Sequence, residues 1–70
     1  MFIRVRVMMQ EEVHVFHKEN VKVYDVIERM TRLYNLKNIV RLYNEHGREM
    51  KNYEVVENAR VYTLLRGRKC

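Results

Sequence analysis

The 70-residue chain has no proline, no tryptophan, two glycines and one cysteine. Without proline and with so little glycine there are few places where a helix or strand is forced to break, so regular elements joined by short turns are expected. The single cysteine, Cys70, excludes an intrachain disulfide and suits a reducing compartment, cytoplasmic or nuclear. No apolar run approaches the ~20 residues that cross a bilayer. The apolar opening from Met1 to Met9 is interrupted by Arg4 and Arg6 and does not resemble a signal peptide, so no membrane partner is expected. No linker, low-complexity tract or internal repeat is visible.

The machinery of catalysis is also missing. A glycine-rich phosphate loop, a redox cysteine pair and a Ser/His/Asp arrangement are all absent, and a chain this short builds one small core with no deep cleft between lobes. His14, His17 and His46 lie on a strand, at its end and in a distant turn, without the spacing of a ligand set. Glu11 and Glu12 form a turn pair with no pocket to tune them for proton transfer. The terminal thiol of Cys70 has no organised base beside it. No enzyme activity, cofactor or metal is expected.

Charge is plentiful. Fourteen Lys and Arg against nine Asp and Glu give a formal charge of +5 and a pI near 9.7, and the hydrophobic fraction is 47%. A basic single domain is the product, and its natural partner carries acidic groups.

The apolar pattern divides the chain into elements. Ile3, Val5 and Val7 alternate with Phe2, Arg4, Arg6 and Met8, which describes a half-buried strand. After the polar break Met9-Gln10-Glu11-Glu12, alternation resumes with Val13, Val15 and His17 against His14, Phe16 and Lys18, predicting an antiparallel hairpin. From Val23 to about Asn35 the period lengthens: Val23, Val26, Ile27, Met30, Leu33 and Tyr34 form an apolar helical stripe, with Asp25 early and Arg32 late as the helix dipole favours. Lys22 is the expected start and Asn20 the alternative cap. Ile39 to Tyr43 predicts a short strand, Asn44-Glu45-His46-Gly47 a turn, Arg48 to Met50 a brief return strand, and Lys51 to Asn58 irregular chain with Tyr53 and Val55 or Val56 tucked beneath the sheet. A last strand runs from Arg60 to Arg66, with Val61, Thr63 and Leu65 on one face and Tyr62, Leu64 and Arg66 on the other. The second set is apolar, aromatic and cationic together, so it is expected to face solvent and bind a partner. The whole describes an α+β domain, one helix across a mixed four- to five-stranded sheet whose first and last strands lie parallel in the middle.

This order resembles the ubiquitin-like β-grasp family. The residues that carry the resemblance are Met1-Phe2-Ile3-Arg4-Val5-Arg6 through Val13-His14-Val15, then Val23, Val26 and Met30, then Arg41-Leu42, Gly47-Arg48, Asn52-Tyr53-Glu54-Val55 and Leu64-Leu65-Arg66. The second half also resembles doublecortin-type domains, in Met30-Thr31-Arg32, Leu42-Tyr43, Gly47-Arg48-Glu49-Met50 and Tyr62, although the first hairpin is shorter than theirs and lacks their Asn-Gly loop.

The ubiquitin-like resemblance implies a single domain over residues 1–67 with a basic tail over 68–70. Gly67 is followed by Arg68, Lys69 and Cys70 where a conjugated modifier ends in Gly-Gly, and Arg48 stands where the family's main linkage lysine would be. The implied role is therefore a monomeric, non-conjugated interaction module. Its recognition patch, carried over by position, is Met8, Tyr43, Tyr62 and Leu64, rimmed by Arg6, Arg41, Arg48 and Arg66. The partner is a protein with a partly acidic surface, either a ubiquitin-receptor-like protein or, on the doublecortin reading, tubulin. Nucleic acid ranks below both, because the RNA-recognition fold needs two helices where this chain has one.

Overall fold

The structure, a computed structural model, describes residues 1–37 and 40–66. Its elements are β1 (Phe2–Val7), β2 (Gln10–Val15), α1 (Val23–Tyr34), β3 (Val40–Tyr43) and β4 (Val61–Arg66). The strands form one sheet in the order β2-β1-β4-β3. β1 runs antiparallel to β2 and parallel to β4, while β3 runs antiparallel to β4. The domain is α+β, with one helix laid on a mixed four-stranded sheet, and its order is consistent with a β-grasp. Ile39, expected to open β3, and the tail from Gly67 to Cys70 lie outside the described residues.

The hairpin is tighter than its polar break suggests. Val7 pairs with Gln10, so only Met8 and Met9 form the turn, at φ of 48° and 71°. Two left-handed residues in succession match the twist of the flanking strands, but this backbone ordinarily selects Asn-Gly, and methionine carries a Cβ penalty at each position.

Lys22 is the N-cap of α1, as its pattern predicts. Asp25 does the capping: its Oδ2 accepts from the Lys22 N–H at 2.9 Å and from Lys18 Nζ at 3.1 Å. The backbone N–H chiefly, and Lys18 after it, hold this carboxyl below the usual carboxylate range. Asn35 closes the helix in the left-handed conformation, and the Leu36 N–H donates to the Thr31 carbonyl at 3.1 Å. Val23, Val26 and Met30 are fully buried; Leu33, expected in the same stripe, is exposed.

Ile3, Val5 and Val7 supply the sheet's half of the core, joined by Phe16, Leu42 and Val56. Here the expected orientation of β4 needs correcting. β4 pairs with β1 so that Val5 stands beside Tyr62 and Val7 beside Leu64. Laterally paired residues share a face of the sheet, and a shift of one residue reverses every side chain. Tyr62 and Leu64 therefore point inward, at 3% and 4% exposure. The Tyr62 hydroxyl meets its polar requirement inside, accepting from the Glu57 N–H at 2.8 Å.

Two smaller expectations also change. The return strand over Arg48–Met50 reduces to one bridge between Tyr43 and Glu49, with the Met50 N–H donating to the Leu42 carbonyl at 2.8 Å. In the following loop Val56 is buried, whereas Val55 and Tyr53 face solvent. Among the described residues no helix is long and apolar enough to cross a membrane.

Candidate functional site

With α1 covering one side of the sheet, the other side is open. β1 presents Phe2, Arg4 and Arg6 there, alternating with its three core residues. β2 adds Glu11, Val13 and Val15, opposite Arg6, Arg4 and Phe2 respectively. β4 presents Val61, Thr63 and Leu65, and β3 presents Arg41 and Tyr43, with Tyr43 opposite Thr63 and Arg41 opposite Leu65.

Of the residues expected to form the binding patch, the structure brings part together. Tyr43 is half-buried on the outer face, and Met8 stands 66% exposed at the end of β1. Arg6 and Arg41 are on the same face. Tyr62 and Leu64 are not: as core residues they have no surface to offer a partner. Arg66 is exposed, but it has their orientation on β4 and leaves the sheet at the strand's end. Arg48 lies in the turn after β3, beside the face.

Thr63 and Leu65 occupy the places expected for Tyr62 and Leu64, and Leu65 is 52% exposed. Together with Arg6, Tyr43, Gly47 and Val61 they line an open groove of about 570 Å³. Gly47 permits that shape: it closes the turn at φ 82°, and its N–H donates to the Asn44 carbonyl at 3.0 Å. The Asn44 side chain steadies the same turn by accepting from the N–H groups of His46 and Arg48, each at 2.9 Å. Tyr43 stands beside Thr63 in the antiparallel ladder. That register is non-local, and alternation within β4 fits either face, so no local signal marked Thr63 and Leu65.

The arginines around the groove are largely occupied by the chain's own acids. Arg6 meets Glu11 at 3.3 Å across the hairpin, and Arg41 meets Glu49 at 3.1 Å. Arg48 grips both oxygens of Glu54, at 2.8 and 3.3 Å, and with help from the Lys51 N–H this holds the Glu54 carboxyl below its usual range. Arg60 bridges Glu45 at 2.7 Å and Glu57 at 3.2 Å. Exposed pairs of this kind contribute little stability, but they orient the guanidinium groups.

On the helix side, His14 is buried and its Nε2 has no hydrogen-bond partner; the nearest carboxylate oxygen, Glu12 Oε2, is 3.8 Å away. Burial lowers its pKa, outweighing the pull of Glu12, and Arg29 lowers it further. Arg29 lies 3.7 Å above the Phe16 ring and donates to the Val15 carbonyl, tying α1 to β2. His17 and His46 are exposed elsewhere, and among the described residues no three His, Cys, Asp or Glu side chains gather as a metal set.

No protein-family model matches the chain, and no curated protein matches its sequence.

Proposed function

We propose that this chain is a non-catalytic, ubiquitin-like protein-interaction domain that binds a partly acidic protein with the open face of its sheet. Tyr43, Leu65 and Met8 serve as apolar anchors, Thr63 lies between them, and Arg6, Arg41 and Arg48 form the rim. The observation that carries this reading is the outer face itself, where large apolar side chains stand exposed between oriented arginines although the domain has a complete core without them. Apolar anchors framed by cations suit a partner that is desolvated at the centre and steered at the edge. A cytoplasmic or nuclear setting and a monomeric state fit this role.

The test is an NMR titration of the isotope-labelled chain with ubiquitin-receptor helices and, in parallel, microtubule co-sedimentation over a salt series. Shifts concentrated at Tyr43, Thr63 and Leu65 are expected. Shifts confined to α1 and the loops would contradict the docking face, and salt-sensitive pelleting with microtubules would assign the doublecortin-like, tubulin-binding role instead.

A further inference from the structure

Arg4 has a different environment from the arginines around it. It lies at the centre of the outer face, directly between Val13 on β2 and Val61 on β4. Its strand neighbours on that face are Phe2 and Arg6. Arg6, Arg41, Arg48 and Arg60 each have a carboxylate from this chain, whereas among the described residues Arg4 has none within bridging distance. Its frame is apolar as well: Val13 is 57% exposed, Val15 48% and Phe2 38%, forming a second patch across Arg4 from the groove at Leu65.

We infer that Arg4 is the anchor for an acidic side chain of the protein partner, and that the docked segment carries this carboxylate between apolar residues that cover Val13 and Phe2 on one side and Val61 and Leu65 on the other. The inference rests on the docking face proposed above and adds the partner's chemistry. A guanidinium whose lateral neighbours are valines loses water when those valines are covered, and the bound state then requires a counter-charge from the partner. The planar fork of arginine suits a carboxylate held by two hydrogen bonds. A nucleic-acid strand could offer phosphate to Arg4, but its sugar-phosphate surroundings would leave the flanking valines and Phe2 without an apolar cover, so the peptide is the better match.

The experiment selects binders to the intact chain from a random peptide library displayed on phage, then measures the tightest synthetic peptide by fluorescence anisotropy. The selected peptides are expected to share an acidic residue flanked by apolar ones. Changing that residue to its amide should weaken binding about tenfold to the native chain and less than about twofold to the Arg4→Gln variant, which is the signature of direct coupling. Arg32→Gln, on α1 away from the docking face and bridged to Glu28, serves as the control and should retain the discrimination. If the amide peptide loses equally against both proteins while NMR shifts still map to Tyr43 and Leu65, the Arg4 assignment is overturned and the docking face stands. If no peptide is selected, or if binding maps away from the sheet, both readings fall. Binding of a single-stranded oligonucleotide that is tighter than the peptide's and lost in Arg4→Gln would overturn the acidic-peptide assignment in favour of phosphate.

Discussion

Tyr43 on β3 stands directly opposite Thr63 on β4, and that pairing orients the whole last strand. Because Tyr43 is on the outer face, Thr63 and Leu65 are there too, while Leu42 and Leu64, the adjacent pair in the ladder, both lie in the core. The candidate surface therefore follows from a contact between strands far apart in sequence.

The first expectation concerns Tyr62. As a core residue whose ring fills the interior and whose hydroxyl oxygen accepts from the Glu57 N–H, it should be intolerant of truncation. Tyr62→Phe leaves that N–H without its partner and should cost about 1 kcal/mol. Tyr62→Ala should cost roughly 3–5 kcal/mol, enough to unfold much of so small a domain. Urea unfolding followed by circular dichroism checks both; an unchanged midpoint in Tyr62→Ala would mean the ring is at the surface after all.

How much of this was legible in the residues depends on the strand. In β1, Arg4 and Arg6 interrupt Ile3, Val5 and Val7, so the inward face is unambiguous from alternation alone. Val61 to Leu65 has apolar side chains at both parities, broken only by Thr63, so its period of two fits either orientation. The choice is made by register against β1, a non-local fact. β2 is similarly deceptive: His14 and Phe16 are buried and Val13 and Val15 exposed, because its register places His14 beside Ile3. The helix was plain, since its apolar spacing and Asp25 agree, although Leu33 of the same stripe is exposed.

The hairpin turn holds a stability reserve. Met8 and Met9 adopt a left-handed backbone that Asn and Gly enter with less steric penalty, so the double variant Met8→Asn/Met9→Gly should be more stable by about 1–2 kcal/mol. For a domain of this size that corresponds to a rise in Tm of roughly 4–15 °C by scanning calorimetry. The same variant removes the Met8 anchor, so partner affinity should fall as stability rises. A parallel fall in both would place the methionines in a structural role.

Acid should weaken the seam between β2 and α1. His14 has a folded-state pKa below its unfolded value, so the folded chain binds the proton less readily. The stability this gives is fully present above about pH 6.5 and is lost as the pH falls through the lowered folded value. The groups facing the ring are Glu12 from its own strand, which opposes the shift, and Arg29 from α1, which adds to it. Unfolding midpoints measured from pH 7.5 to 5 should decline, and His14→Phe should flatten that decline. Equal slopes for the two proteins would remove His14 as its source.

The adjacent leucines of β4 provide the sharpest test, because Leu64 is 4% exposed and Leu65 is 52% exposed. Thermal unfolding of Leu64→Asp beside Leu65→Asp compares a charge placed in the core with one placed on the docking face. Leu64→Asp should abolish the folding transition, while Leu65→Asp should keep its Tm within about 3 °C of the native chain. A stable Leu64→Asp, or an unfolded Leu65→Asp, would reverse the face of the last strand and contradict the account.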